Sequence, residues 1–159
     1  MRYEITQSQR FYFQTNKTLL LEDAFPVSYP SCGYDLWRTH PEIKKIACSR
    51  ELGHIIFQLT EICPIRLLFD RIVEGETIDL KQSSFQGIII GALLCDHSLT
   101  LFSPELPFLI QERSLLIVYG EVFSVFTCKK EDPFSLHPKN QGYNYGDALK
   151  SDDYPLIYR

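Results

Sequence analysis

The side chains best suited to metal or acid–base chemistry are the histidines His40, His54, His97 and His137. Two imidazoles and one carboxylate can hold an iron(II) ion, and the spacing H-x-D/E on a strand turns one imidazole and the carboxylate to the same face. The chain contains one such spacing, His40-Pro-Glu42. Because a proline in this position favours a helix start, Glu42 is better explained as a first-turn acid facing the helix dipole.

The other three histidines have unrelated surroundings. His54 falls in a predicted helix, His97 follows Asp96 at a strand boundary, and His137 precedes Pro138 in a polar loop. Asp96 and His97 point to opposite faces if their segment is extended, which weakens a shared ligand pair or an acid–base pair. His97 and His137 meet only if the tertiary fold brings them together. We therefore assign no catalytic, cofactor-binding or metal-binding residue and expect no cofactor.

The chain has five cysteines: Cys32, Cys48, Cys63, Cys95 and Cys128. They form no C-x-x-C pair, so the pattern is neither a zinc motif nor a disulfide framework. The last four fall in apolar runs, where a reduced thiol behaves as a small hydrophobic group. We expect buried thiols and a reducing cytosol. Cys95 and His97 can share a strand face and are the one close thiol–imidazole pair, but a structural thiol explains Cys95 without catalysis.

The charge balance argues against polyanionic partners. The chain carries 16 basic and 20 acidic residues and a net charge of −4, which repels nucleic acid and anionic membranes. The short basic groups around Lys44 and Lys129 are typical of solvated element ends. We expect no nucleic acid and no membrane, and the partner is an unknown small molecule or protein.

Two segments bear on location. The longest apolar run, Gly87 to Cys95, is far shorter than the roughly 20 residues of a membrane span and is predicted to be a buried strand. The segment Met1 to Arg10 is polar and lacks the apolar core of a secretory signal. We therefore expect a cytoplasmic protein.

Helices are predicted in the first part of the chain. Thr6 and Gln9 match a capping box, with Asn16 as a possible helix end, and a strand follows at Thr18 to Glu22. Pro41 opens a second helix and Ser49 caps a third. The third helix has one apolar face formed by Leu52, Ile55, Ile56, Leu59 and Ile62.

From Pro64 onward, short apolar runs broken by turn residues predict strands. They are placed at Ile65 to Val73, Thr77 to Leu80, Phe85 to Cys95, Ser98 to Phe102, Pro107 to Ile110, Leu115 to Tyr119 and Val122 to Cys128. Gly120-Glu121 is one of the predicted turns, and an edge strand is predicted after Pro155. Helices followed by closely spaced strands indicate one α+β domain over residues 1–159, with helices covering a sandwich or barrel.

Four segments, taken in order, resemble the phytanoyl-CoA dioxygenase type of Fe(II)- and 2-oxoglutarate-dependent oxygenase. They are Ile5 to Phe11, Thr18 to Phe25, Leu36 to Ile43 and Pro64 to Asp70. The whole sequence also resembles a bacterial, chlamydial protein with an oxygenase-like shape. The resemblance implies amino-terminal helices packed on a double-stranded β-helix, which is a jelly-roll, cupin-like barrel. It also implies an H-x-D/E motif at the end of a core strand and a late Arg or Lys that grips 2-oxoglutarate.

The residues depart from that pattern. The block Glu74 to Gly87, where the motif should fall, contains no histidine, and neither Arg113 in a turn nor the final Arg159 can be assigned to the cosubstrate. The leading hypothesis is a pseudoenzyme, a non-catalytic binding module for a small ligand or a protein. The alternatives are an active metal-dependent oxygenase with ligands from distant segments, such as His97 and His137, and a metal-responsive DNA-binding regulator. The regulator would use the helix pair Pro41 to Cys48 and Arg50 to Ile62.

Overall fold

A computed structural model describes residues 3–159; Met1 and Arg2, which begin the polar amino-terminal segment, lie outside the described residues. The described residues form four α-helices: α1 (Gln7–Asn16), α2 (Pro41–Ala47), α3 (Arg50–Thr60) and α4 (Leu136–Asn140). Two 3₁₀ turns cover Leu36–Arg38 and Leu80–Gln82. None of the helices in the described part of the chain combines the length and the apolar character that a membrane span requires.

Over residues 3–159, eight strands form two antiparallel sheets. The strands are β1 (Thr18–Leu21), β2 (Ile65–Val73), β3 (Glu76–Ile78), β4 (Phe85–Cys95), β5 (Ser98–Phe102), β6 (Phe108–Ile110), β7 (Ser114–Phe126) and β8 (Leu156–Tyr158). The large sheet has the order β1-β5-β4-β7-β2-β8, and β3 pairs with β6 in the small sheet. The predicted α+β class is therefore confirmed, as is an edge strand after Pro155.

The helix starts follow the predicted caps. The Thr6 hydroxyl accepts a hydrogen bond from the Gln9 amide, and the Gln9 side chain accepts one from the Thr6 amide, so the capping box is complete. α1 ends at Asn16, as predicted. The Ser49 hydroxyl accepts from the Leu52 amide, 3.2 Å away, and starts α3. Satisfying these free amides locally is what allows such short helices to begin where they do.

Two apolar layers lie on opposite faces of the large sheet. The alternation of β7 shows this, because Leu115, Ile117 and Tyr119 pack against the helices while Leu116 and Val118 pack toward the small sheet. Side chains of a strand alternate between faces, so a continuous apolar run such as Leu115 to Tyr119 serves both layers. The helix layer contains the predicted α3 face from Leu52 to Leu59; Ile62 follows the helix.

The predicted turn at Gly120-Glu121 is wrong, because β7 continues without interruption through it. Gly120 lies opposite Arg66 on one side and Ile88 on the other. A Cβ atom on Gly120 would stand 2.4 Å from the Ser124 hydroxyl, so glycine is needed here for close approach. A glycine that admits a neighbouring strand and a glycine that makes a turn have the same sequence signature.

Three smaller expectations also need correction. The predicted strand at Thr77 to Leu80 ends at Ile78, and Leu80 begins a 3₁₀ turn. The polar loop that contains His137 includes the short helix α4.

The predicted burial of the cysteines is wrong as well, since Cys63 is exposed and Cys48, Cys95 and Cys128 are only half-buried. Each of the four stands at or just beyond the end of a helix or strand, where an apolar run leaves the core.

Asp70 joins the segment before α2 to the large sheet. Its buried carboxylate accepts hydrogen bonds from the amides of Leu36, 2.8 Å away, and Trp37, 2.9 Å away. Its backbone carbonyl accepts from the Asp35 amide at 2.8 Å. Burial raises the pKa of Asp70 to about 6, although both side-chain hydrogen bonds favour the ionised form.

We predict a pH-dependent contribution of Asp70 to stability. Its pKa is raised from 3.8 to about 6, so the native state holds this proton more tightly than the unfolded chain. The stabilisation is therefore complete below the pKa that Asp70 has in the unfolded chain. It is lost as the pH rises through the pKa that Asp70 has in the native state. Between about pH 4 and about pH 7, the free energy of unfolding of the wild type should fall by about 3 kcal/mol relative to that of the Asp70→Asn variant. Urea denaturation at a series of pH values measures this; exposed Asp152→Asn should follow the wild type, and a pH-independent difference for Asp70→Asn would contradict it.

Tyr119 is predicted to stabilise the contact between α2 and the large sheet. Its fully buried hydroxyl donates to the Ala47 carbonyl at 2.7 Å, at the end of α2. Tyr119→Phe should lower the free energy of unfolding by about 1–3 kcal/mol, because a buried carbonyl loses this partner. Tyr145→Phe is the matched control, since Tyr145 is 78% exposed. Equal urea midpoints for the two variants would contradict the assignment.

Candidate functional site

The four histidines occupy four separate environments. His40 precedes α2, with its Nδ1 atom 2.9 Å from the Thr39 hydroxyl, and Glu42 is exposed in the first turn of that helix. The spacing His40-Pro-Glu42 thus lies at a helix start, as predicted. His54 is a packing residue of α3: its Nδ1 atom is 3.0 Å from the Tyr158 hydroxyl, and its Nε2 atom is 3.5 Å from a Glu4 carboxylate oxygen.

The pair on which the distant-ligand hypothesis depends is also separated. His97 is exposed in the turn between β4 and β5, and its carbonyl accepts from the Ala24 amide. His137 lies in α4 with its ring stacked on Tyr34, the centroids 4.2 Å apart. Within residues 3–159, no group of three potential metal ligands includes a histidine.

One group of potential metal ligands is found in the described residues: Cys95, Asp96 and Glu112, whose ligand atoms lie within 4.8 Å of one another. It occupies the exposed turns that end β4 and precede β7. The Cys95 thiol is 3.4 Å from a Glu112 carboxylate oxygen, and burial raises its pKa, so the thiolate that a metal requires is disfavoured. Asp96 has a φ of 54° and turns the chain, so Cys95 and His97 are not alternate residues of one strand.

The end of β3 lies within the block Glu74 to Gly87, where the resemblance implies the H-x-D/E motif. The chain there reads Thr77-Ile78-Asp79. The Asp79 carboxylate accepts from the Lys81 amide at 3.1 Å and caps the 3₁₀ turn at Leu80–Gln82. The Asp79 carboxylate therefore has a structural role.

Aromatic rings fill the space between the two sheets. Phe108 begins β6, pairs with Ile78 across the small sheet, and stacks on Phe102 with centroids 4.7 Å apart. The Phe102 ring lies directly over Gly91, where a Cβ atom would be 2.4 Å from the ring. Residues of both sheets join in this one apolar cluster, so the interior is a packed core at this level.

A narrow cleft lies beside β2 and β3. Arg71 forms an ion pair with Glu76 at 2.6 Å and stacks over the Phe134 ring. The Tyr34 ring stacks on Phe134 with centroids 4.5 Å apart, and burial raises the pKa of its hydroxyl. The charged and aromatic groups of this cleft mainly bind one another, which leaves few donors for a ligand.

A wider hollow, here called the β4 hollow, opens at the first residues of β4. Its volume is ≈ 540 Å³. It is lined by Leu80, Lys81, Phe85, Gln86, Gly87, Ile88, Pro104, Glu105, Thr127, Lys129 and Tyr145. The size and the mainly apolar floor with a few polar groups are those of small-molecule sites. From the sequence alone, Lys129 is predicted only to be a solvated end of an element, and no pattern marks Lys81 as a binding residue.

The basic residues considered for 2-oxoglutarate are not in the interior. Arg113 stands in a turn, where its carbonyl accepts from the Tyr29 hydroxyl at 3.1 Å, and Arg159 is exposed. Within residues 3–159, the buried cation is Arg66, which lies inside β2 and was not predicted from the sequence. Its guanidinium donates to the carbonyls of Tyr154, at 2.6 Å, and Val122, at 3.5 Å, and burial lowers its pKa.

Within residues 3–159, no group of potential metal ligands combines two imidazoles with a carboxylate. The donors at the end of β3 are the Thr77 hydroxyl and the Asp79 carboxylate, and Asp79 already caps a turn. Such a site requires three protein ligands about 2 Å from one ion. The nearest strand of the small sheet instead presents Phe108, whose ring is part of the core.

Neither a protein-family model nor a curated protein matches this sequence. Solved structures do match. The crystal structure of the non-heme α-ketoglutarate-dependent carbocyclase SnoK from nogalamycin biosynthesis aligns with a TM-score of 0.74 at 9% identity, over 97% of each chain. The epimerase SnoN, solved with Fe³⁺, α-ketoglutarate and nogalamycin RO, aligns with a TM-score of 0.69 at 10% identity, over 95% of this chain and 98% of SnoN.

A third similar structure is CT296 from Chlamydia trachomatis. It aligns with a TM-score of 0.55 at 20% identity, over 76% of this chain and 97% of CT296. At such identities the likeness concerns the fold and not the chemistry. The predicted cupin-like architecture is confirmed: the chain has the fold of the non-heme, 2-oxoglutarate-dependent oxygenases.

Proposed function

We propose that this protein is a non-catalytic binding module built on the oxygenase fold, which holds a small molecule or a protein partner. The observation that carries the proposal is that, within residues 3–159, no group of three potential metal ligands includes a histidine; the end of β3 offers the Thr77 hydroxyl and a turn-capping Asp79. The stacked pair Phe102 and Phe108 beside it supports the same conclusion, because packed rings leave no polar lining for a charged cosubstrate.

An active oxygenase with unusual ligands is the competing function. It requires His97, His137 and a carboxylate to approach one ion, whereas His97 lies in the β4–β5 turn and His137 is stacked on Tyr34. The group formed by Cys95, Asp96 and Glu112 provides no imidazole, and its thiol favours the protonated form. These positions support the non-catalytic proposal.

A DNA-binding regulator fits less well. The presumed recognition helix α3 buries Leu52, Ile55 and Ile56 and is packed between α1 and β8. A reading helix must project into the major groove with basic side chains. The net charge of −4 disfavours DNA further, so we do not propose a nucleic-acid partner.

The five cysteines are free thiols, which supports a reducing compartment such as the cytoplasm.

The proposal predicts no response to Fe(II) with 2-oxoglutarate. A ligand present at a hundred times its dissociation constant stabilises a protein by roughly 2.7 kcal/mol, which corresponds to roughly 5–10 °C in Tm for a domain of this size. We expect neither a Tm shift, measured by anaerobic thermal denaturation, nor release of succinate in air. An active non-heme oxygenase assayed in parallel verifies that both reagents are competent.

A saturable Tm shift together with succinate release would contradict the proposal. The variants Asp79→Ala and Asp152→Ala then locate the site, because loss of the response in Asp79→Ala alone would place the iron at the end of β3. A response that survives in both variants would instead point to ligands elsewhere in the chain.

A further inference from the structure

The β4 hollow combines an apolar floor with cationic groups at its rim. Leu80, Phe85, Ile88 and Pro104 supply the apolar surface. Lys81, from the 3₁₀ turn after β3, and Lys129, from the segment after β7, stand at the same rim although 48 positions separate them. A ligand with an apolar body and a charged head can therefore satisfy both parts at once.

Among the residues that the structure describes, the ammonium groups of Lys81 and Lys129 have no anionic partner. The Lys81 ammonium donates to the Glu105 carbonyl at 2.9 Å, and the Lys129 ammonium donates to the Lys81 carbonyl. Among residues 3–159, no carboxylate lies within 4.0 Å of either ammonium. The nearby Glu105 carboxylate is paired with Lys17 at 3.2 Å, so the rim carries a local excess of positive charge on an acidic protein.

The walls of the hollow are held in place by hydrogen bonds. The Thr127 amide donates to the Ser84 carbonyl at 2.6 Å, and the Lys129 amide donates to the Ser84 hydroxyl at 3.0 Å. Gly87, with a φ of 91°, is held by the Ser124 hydroxyl, which donates to its carbonyl at 3.1 Å. A site whose backbone is already ordered loses less entropy when a ligand binds.

One further polar group is available beside the hollow. The Thr127 hydroxyl is buried and, within the described chain, has no hydrogen-bond partner. A buried hydroxyl without a partner is destabilising, and a ligand or an ordered water can supply the missing bond.

We propose that the β4 hollow binds a small organic anion, in which an aromatic or aliphatic body packs on Phe85 and Ile88 and a carboxylate or sulfonate lies between Lys81 and Lys129. The inference rests on the proposed binding role and names the chemical class of its ligand. Charge complementarity selects an anion, and the apolar floor selects an organic body over inorganic phosphate. The occupant is a small molecule because the hollow has a volume of only ≈ 540 Å³.

Two dyes that share one ring system test the assignment on the full chain. 8-Anilinonaphthalene-1-sulfonate carries the anion, and N-phenyl-1-naphthylamine has the same rings without it. We expect saturable one-site fluorescence binding of the sulfonate dye, and weaker binding of it as salt concentration rises. In the double variant Lys81→Gln, Lys129→Gln the Kd of the sulfonate dye should rise about fivefold or more, while the Kd of the neutral dye stays unchanged.

Lys130→Gln combined with Lys139→Gln is the matched control, because it removes the same charge from exposed positions outside the hollow. This control should leave both dyes unaffected. The inference is overturned if the wild type shows no saturable binding, if both double variants weaken the sulfonate dye equally, or if the neutral dye is weakened as strongly. Neither pair of substitutions touches the core, so folding can be verified by an unchanged urea midpoint.

This experiment and the iron experiment fail independently. Loss of the dye result would remove the anion assignment and leave the non-catalytic proposal intact. Turnover of 2-oxoglutarate would contradict the non-catalytic proposal without abolishing dye binding at Lys81 and Lys129.

Discussion

The carboxylate of Asp70 is the contact on which the arrangement of helices and sheet depends. It is fully buried in β2, and it accepts the amides of Leu36 and Trp37, which would otherwise begin a 3₁₀ turn without partners. That turn leads directly into α2, so one side chain fixes how the helical layer meets the large sheet. A buried carboxylate without hydrogen bonds is strongly destabilising. Asp70 can therefore stay buried in the sheet only while the segment before α2 supplies these two amides.

A second constraint acts on the opposite face of the sheet. There the space between the sheets is filled by packed rings, and Gly91 and Gly120 let Phe102 and Ser124 approach the backbone closely. This packing stabilises the barrel on the face that lies opposite the helices. The β4 hollow offers room for a ligand at the edge of this layer, where its walls are set by hydrogen bonds to Ser84.

Local sequence patterns predicted most elements well. The bounds of β2, β4 and β5 coincide with the apolar runs, and the caps at Thr6 and Ser49 begin their helices, because these features depend on neighbouring residues and on alternation along one strand. Two of the errors share one cause. Gly120 was expected in a turn, but it lies in a strand and is closely approached by residues distant in the sequence, such as Leu68. Cys63 was expected in the core, but no distant segment of the described chain covers it and it is exposed.

For the candidate site, the sequence by itself determined which residue types are missing. The block Glu74 to Gly87 has no histidine, and folding cannot add one to that block. Only the tertiary structure decided which groups meet. Lys81 and Lys129 belong to unrelated turns, and each looks like an ordinary solvated lysine until strand pairing brings both to one apolar hollow. Local propensity arises from interactions within a few residues, whereas a binding site requires side chains from separate strands to converge, and their convergence depends on the packing of the whole sheet.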